Sequence, residues 1–208
     1  MKNKPKIGII GAGRLGTAVA RQSLKAGYEV EITNAHGPES LRLTLSVLLP
    51  GAVAMQVPDL IAAGDIIILA IPLNQYSTLA SGSLSGKIVI DAMNYWPPAE
   101  GDIPEFMTEG VTSSEYLQRY FKGARLVKTL NHVAYNELEE HSLLPNTPGK
   151  RAIALVGDDE AAKKEVESFI NDLGFDPVDL GALSQGKKFQ PDTPLFNARY
   201  TAGDIVQK

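Results

Sequence analysis

The chain has 208 residues, 44% of them hydrophobic, and a formal net charge of −4 at neutral pH. This composition predicts a globular protein with a sizeable core, and without a basic field we expect no binding to nucleic acid or to a membrane. The absence of cysteine excludes disulfides, thiolate metal sites and cysteine nucleophiles. Because we find neither a secretion signal nor a membrane-spanning segment, we expect a cytoplasmic protein.

Short apolar runs alternate with helix-length segments along the chain. Strands are predicted at 6–10, 28–33, 52–56, 65–71, 87–92, 124–130 and 151–157, and helices at 14–26, 38–48, 59–63, 73–80, 112–121, 131–140 and 159–172. Several runs, such as IIILAI, are apolar on both faces, as in parallel strands that helices cover. The alternation predicts an α/β fold with a doubly wound, mostly parallel sheet.

Two regions interrupt this alternation. Residues 94–110 are rich in proline and glycine and contain the only tryptophan, so we predict a long loop beyond a strand end. Residues 184–208 contain many helix and strand breakers. We expect one domain over 1–183 and a C-terminal extension over 184–208 that packs on this domain or on a second subunit, as in a homodimer.

The stretch KIGIIGAGRLGTAVA has the spacing of a dinucleotide-binding turn between the first strand and the first helix. Gly11 permits a tight turn, Gly13 lets a pyrophosphate approach the main chain, and Gly16 lets the helix pack closely on the sheet. The start of the helix would then offer free N–H groups to the phosphates. The context predicts a Rossmann-like NAD(P)-binding fold; the alternative is a glycine-rich turn that binds nothing.

The end of the second predicted strand indicates which dinucleotide is preferred. Folds that prefer NAD place an acid there to bind the ribose hydroxyls, whereas this chain has Asn34, Ala35 and His36 and no acid before Glu39. The absence of an acid favours NADP, because a carboxylate would repel the 2′-phosphate. Arg14 or Arg42 could supply the missing guanidinium, and His36 could instead be a solvent-exposed loop residue.

The segments IGIIGAGRLGTAVA, TNAHGPESL, IIILAIPLNQY, KIVIDAMN and IALVGDD occur in this order. In this respect the chain resembles the NADP oxidoreductases of the coenzyme F420-dependent family, which includes the cytosolic domain of the six-transmembrane ferric reductases. The resemblance extends from Lys6 to about Leu183. It implies NADPH binding at the carboxyl edge of the sheet and hydride transfer to a small-molecule electron acceptor, with FMN or a deazaflavin coenzyme as the co-substrate.

The resemblance also implies a set of cofactor-binding positions. The family's 2′-phosphate segment commonly reads Asn-Ser-Arg-Gly-Pro-Glu-Ser, and here both the serine and the arginine in its second and third positions are replaced, which makes use of NAD as well as NADP credible. The implied positions are Gly11, Ala12, Gly13, Arg14, Leu15 and Gly16 in the glycine turn; Asn34, Ala35, His36 and Ser40 after the second strand; Ala70, Ile71, Pro72 and Leu73 after the fourth; and Ala92, Met93 and Asn94 after the fifth.

Hydride transfer between two rings requires no nucleophile and no metal, because the protein needs only to stack the rings and exclude water. We accordingly predict no metal site. His132, with Asn131 beside it, is the candidate for acid–base or orienting chemistry, because it follows a strand at the edge where such folds bind ligands. The alternative is a histidine at a helix start that caps the backbone.

Three functions remain open from the sequence. The first is an NADP(H)-dependent oxidoreductase that uses a flavin, a deazaflavin or a similar acceptor. The second is a binding module that senses NADP(H) or serves a partner without turnover. The third is a reductase of carbonyls or imines, which the length disfavours because the related β-hydroxyacid dehydrogenases and pyrroline-carboxylate reductases add a helical domain of about 100 residues or more.

Overall fold

The computed structural model describes residues 4–144 and 147–206, and in this part of the chain eight strands form one sheet. The strands are β1 (Ile7–Ile10), β2 (Val30–Thr33), β3 (Val53–Ala54), β4 (Ile66–Leu69), β5 (Ile88–Asp91), β6 (Arg125–Thr129), β7 (Ala152–Gly157) and β8 (Asp176–Asp179). Their order is β3-β2-β1-β4-β5-β6-β7-β8. All neighbours are parallel except β6 and β7, which confirms the predicted fold.

Helices cover both faces of this sheet. They are α1 (Arg14–Lys25), α2 (Arg42–Leu48), α3 (Val57–Ala63), α4 (Pro97–Glu100), α5 (Ser113–Tyr120), α6 (Glu137–Glu140), α7 (Glu160–Asp172) and α8 (Ala202–Val206), with 3-10 turns at Pro38–Leu41, Leu73–Thr78, Pro104–Phe106 and Leu183–Phe189. A side chain fixes the start of α7, where Asp159 caps the helix by accepting the Ala162 N–H at 2.9 Å. Over the described ranges, no helix is both long and apolar enough to cross a bilayer.

The core consists of two apolar layers, one on each face of the sheet. In β4, Ile66 and Ile68 belong to one layer, whereas Ile67 and Leu69 belong to the other. All four side chains are fully buried, and each contributes roughly 1.5–3 kcal/mol by leaving water. This two-sided burial explains why the run IIIL carries no polar residue.

The structure differs from the prediction at several elements. The segment 73–80, predicted as a helix, forms the 3-10 turn Leu73–Thr78, and 131–140 is helical only over α6. β8 was not predicted because its sequence, DPVD, is polar and contains Pro177. A proline lacks the N–H that a ladder needs, and such strands are tolerated at sheet edges, which is where β8 lies.

The described part of the C-terminal extension packs on the sheet at the β6 to β8 end. Phe189, Leu195 and Ile205 are buried, and the Ala152 N–H of β7 donates to the Tyr200 carbonyl at 2.7 Å. These contacts attach the extension to the same body as β7. Of the predicted ranges 1–183 and 184–208, residues 1–3, 145–146 and 207–208 lie outside the described residues.

Candidate functional site

The three glycines of the first turn differ in whether packing requires them. At Gly11, with φ of +117°, an added Cβ would overlap the Ala70 carbonyl, and at Gly16 it would overlap the Gly11 carbonyl. The close packing of the fold therefore requires both. At Gly13 an added Cβ would meet nothing within 4 Å, and its φ of −76° is open to any residue. Packing does not require a glycine there, so the clearance above it is available to a ligand.

Gly13 is the N-cap residue of α1, a helix of 12 residues, so the first helical turn begins beside this open space. The N–H groups of the first helical turn have no acceptors within the helix, and they carry the positive end of its dipole. Thr17 is the first residue whose N–H is bonded back into the turn, to the Gly13 carbonyl at 2.9 Å. The arrangement is that of an anion-binding turn.

A cleft of about 780 Å³ opens beside the glycine turn, at the carboxyl ends of β1, β2 and β4. Five of the predicted cofactor positions line it: Gly11, Asn34, Ala35, Ile71 and Pro72. The position agrees with the rule that doubly wound sheets bind ligands beyond the carboxyl ends of their strands. The described lining contains no ionisable side chain.

Part of the cleft wall was not predicted from the sequence. It comes from the start of α3 and from the segment after β4, and includes Gln56, Val57, Pro58, Gln75, Thr78 and Ser83. These residues follow β3 and β4 in the chain, so the carboxyl-edge rule could have indicated them. They carry no glycine pattern or charge that marks them individually.

The loop after β2 is held in shape by its own side chains. Asn34 Oδ1 accepts the His36 N–H at 2.9 Å, and Asn34 Nδ2 donates to Ser40 Oγ at 2.9 Å. Ser40 Oγ donates in turn to the Gly37 carbonyl at 2.7 Å, and Gly37 has a φ of +80°. Asn34 and Ser40 thus shape the loop, while the His36 side chain is exposed.

The two arginines considered as substitutes lie in other directions. The Arg14 guanidinium lies over the Tyr135 ring, 5.6 Å from its centroid, and lines a second cleft of about 510 Å³ that also contains Ala12 and Gly13. Arg42 is 4.0 Å from Glu39, and both side chains are highly exposed. Neither arginine lines the cleft that Asn34 lines.

Several of the remaining predicted positions do not line the main cleft. Leu73, Ala92 and Met93 are buried, and Ala70, Leu15 and Asn94 are partly exposed. The Asn94 amide is linked to Asn131: Asn94 Nδ2 donates to the Asn131 carbonyl at 2.7 Å, and Asn131 Nδ2 donates to Asn94 Oδ1 at 2.9 Å. This pair joins the exits of β5 and β6.

His132 lies in the core and has almost no exposed surface, at 2%. Its Nε2 accepts the Ala154 N–H of β7 at 3.1 Å, and its ring packs against Phe189. Burial lowers the pKa of His132 from 6.5 to about 3, and the charges of Arg151 and Lys128 act in the same direction. The ring is therefore neutral at physiological pH, and it joins β6 to β7.

The long loop predicted at 94–110 contains short helical turns, α4 among them. Tyr95 Oη accepts the Ile103 N–H at 2.9 Å, and Phe106 is buried beside Tyr76, so both anchor the loop. Trp96 is 51% exposed and borders a cavity of about 280 Å³ between this loop and residues 190–192. Among the described side chains, no group of three or more histidines and carboxylates is placed to hold a metal ion.

The sequence of the chain is similar to that of a known protein family and of longer curated proteins. The model of the family described as "NADP oxidoreductase coenzyme F420-dependent" matches residues 6–95. The chain is 26% identical to metalloreductase STEAP3 of Rattus norvegicus over 191 residues, which is 91% of this chain and 36% of that protein. It thus spans little more than a third of this longer relative.

Two solved structures are similar over most of their length. Hypothetical protein SMa0349 of Sinorhizobium meliloti is 30% identical, with a TM-score of 0.79 and 95% of each chain covered. A candidate F420-dependent NADP-reductase from Arthrobacter sp. FB24 is 25% identical, with a TM-score of 0.73, covering 88% of this chain and 87% of that one. The similarity to these structures therefore continues beyond residue 95.

Proposed function

We propose that the chain, which matches the model of the coenzyme F420-dependent NADP oxidoreductases over residues 6–95 and resembles the candidate F420-dependent NADP-reductase in structure, transfers hydride between NADP(H) and a planar acceptor such as a flavin or a deazaflavin. The observation that carries the proposal is the clearance at Gly13. The fold itself demands glycine at positions 11 and 16, whereas at position 13 a side chain would enter only the open space before α1. A pyrophosphate needs that space in order to reach the main chain.

The described residues fit a dinucleotide along the carboxyl edge of the sheet. The pyrophosphate would lie at Gly13, the adenosine half in the cleft between Asn34 and Pro72, and the nicotinamide half toward Met93 beyond β5. The bound nicotinamide supplies the hydride chemistry. The chain's own contribution is to hold the rings, exclude water and leave the ribose end free of carboxylates.

Preference for NADPH over NADH follows from charge. No acid occurs between β2 and Glu39, and Glu39 is exposed and pairs with Arg42. Nothing in the Asn34 loop would therefore repel a 2′-phosphate. Without a guanidinium in this cleft the preference is modest, because imidazole at His36 can make one bond where arginine would make two.

The acceptor would enter beside the nicotinamide end. The cavity between Trp96 and residues 190–192 adjoins the exit of β5 and presents an exposed indole on which a planar ring can stack. A small molecule is the proposed partner there, and a homodimer whose second subunit covers this side is compatible with the proposal.

A second function, NADP(H) sensing without turnover, would use the same cleft. The described lining of the main cleft contains no ionisable side chain, and His132 is buried. Hydride transfer does not need such a group, so a catalyst and a sensor would share this cleft.

The test begins with calorimetric titration of NADPH into the purified chain, followed by oxidation assays with free FMN, the deazaflavin coenzyme F420 and a ferric chelate. Binding together with oxidation by at least one acceptor is the expected result. Tight binding with no oxidation by any of the three would favour the sensor. Absence of NADPH binding would remove both functions.

A further inference from the structure

Asp91 and Lys128 form a buried ion pair beneath the carboxyl ends of β5 and β6. Their side chains are 0% and 1% exposed, and Lys128 Nζ lies 3.2 Å from Asp91 Oδ2. Burial lowers the pKa of Lys128, and the Asp91 charge opposes this shift. Such a pair is weak evidence for stability, because apolar residues of similar volume often stabilise a core as well or better.

The pair binds both main-chain polar groups of Met93, which belong to two successive peptide units. Asp91 Oδ1 accepts the Met93 N–H at 3.0 Å, and Lys128 Nζ donates to the Met93 carbonyl. Ser114 Oγ orients the carboxylate by donating to Asp91 Oδ2 at 2.7 Å. The main chain at Met93 is thus fixed by two opposite charges that have almost no access to water.

The hydrogen bonds continue from Met93 to the exit of β6. Met93 is followed by Asn94, whose side chain exchanges two hydrogen bonds with Asn131, and Asn131 Nδ2 also donates to the Phe189 carbonyl at 3.0 Å. The preceding residue, Leu130, is a buried non-glycine residue with φ of +66°. Such a conformation is strained and persists only where the surrounding contacts fix it.

We propose that Asp91 and Lys128 are positioning residues for the nicotinamide half of the cofactor: they hold the main chain on both sides of Met93, and through it the amide pair of Asn94 and Asn131, in a fixed position beyond β5. This inference rests on the proposed function. Neither residue touches the cofactor, and their role is exerted through the main chain they hold. Hydride transfer needs this rigidity, since a displacement of about 1 Å can cost on the order of a hundredfold in rate.

The consequence can be measured without an acceptor. NADPH contains both halves of the dinucleotide, whereas 2′,5′-ADP contains only the adenosine half, which would bind in the cleft near Asn34. A residue that positions the nicotinamide half should affect the first ligand and spare the second. A general loss of structure would weaken both.

The experiment compares the dissociation constants of NADPH and 2′,5′-ADP by calorimetry for the parent and for Lys128→Met. We expect NADPH affinity to fall on the order of tenfold, because the main chain at Met93 would no longer be held in one position for the nicotinamide half, while 2′,5′-ADP affinity stays within about twofold. Because Lys128→Met leaves Asp91 charged and unpaired, the double variant Asp91→Asn/Lys128→Met provides a second measurement without buried charge. It keeps an acceptor for the Met93 N–H and loses only the grip on the carbonyl.

The matched control is Lys163→Met, which removes another buried lysine. Lys163 pairs with Asp179 at 2.8 Å, between α7 and β8 and away from the cleft. It should lower stability without changing the ratio of the two dissociation constants. Equal losses for both ligands, or unchanged NADPH affinity, in either folded Lys128 variant would overturn the inference. Failure of the parent to bind either ligand would instead overturn the proposed function.

Discussion

At the scale of single residues, the proposed function assigns the choice between NADPH and NADH to the loop after β2. The loop is already shaped by Asn34, Ser40 and Gly37, so a substitution of the exposed His36 changes charge without disturbing the backbone. That separation makes selectivity testable by exchanging one side chain.

His36→Arg should widen the preference for NADPH over NADH by about tenfold, because a guanidinium can hold the 2′-phosphate with two charge-assisted bonds. His36→Asp should reverse the preference, since a carboxylate repels the phosphate and accepts hydrogen bonds from the ribose hydroxyls of NADH. Calorimetry with both dinucleotides measures the ratio. The same ratio in all three proteins would mean that His36 faces solvent and that another group reads the ribose.

The lowered pKa of His132 makes the free energy of unfolding depend on pH. Its folded pKa of about 3 lies below the unfolded value of 6.5, so the unfolded state takes up the proton first as the pH falls. The stability that neutral His132 provides is therefore complete above pH 6.5 and decreases progressively toward about pH 3.

Urea unfolding at about pH 7 and pH 5 should show that the parent loses roughly 2 kcal/mol more than His132→Gln over this interval. Glutamine keeps an acceptor for the Ala154 N–H and cannot titrate. His36→Gln, which removes an exposed imidazole, is the control. Equal pH-dependent losses in the parent and His132→Gln would show that the histidine is not held neutral. A role for His132 in catalysis stays a prediction.

At the scale of elements, the strands on both sides of the glycine turn could be predicted because their signals are local. The run IIIL is apolar throughout, which indicates directly that both of its faces are buried. The three glycines of the turn follow a known spacing, in which packing requires the first and third and leaves open space at Gly13. The end of β6 could not be predicted in the same way. Leu130 adopts a left-handed conformation that no local pattern favours, and so the predicted helix at 131–140 shortens to α6.

The hydrogen bonds between side chains at the carboxyl ends of β5 and β6 could not be predicted from sequence patterns either. Asn94 and Asn131 are 37 positions apart, as are Asp91 and Lys128, and each pair meets only because β5 and β6 lie side by side. The sequence indicated that Asn131 and His132 follow a strand at the ligand edge. Burial of His132 depends on Phe189 in the extension, which periodicity cannot place.

At the scale of the whole molecule, the two halves of the sheet contain different parts of the candidate site. The half from β3 to β4 contains the glycine turn and the main cleft, while the half from β5 to β8 contains the Asp91–Lys128 pair and the contact between Asn94 and Asn131. The family model covers mainly the first half, over residues 6–95. The cofactor could therefore be predicted from motifs in the first half of the chain, whereas no comparable motif in the second half indicates the acceptor.

The central claim is that a dinucleotide occupies the space above Gly13, and calorimetric titration of NADPH into Gly13→Val tests it most directly. The control is Gly203→Val in α8, where an added Cβ meets only Thr201 Oγ1 at 4.0 Å. The parent and Gly203→Val should bind NADPH alike, and Gly13→Val should unfold at a similar temperature but bind on the order of a hundredfold more weakly. Undiminished NADPH binding by folded Gly13→Val would contradict the account.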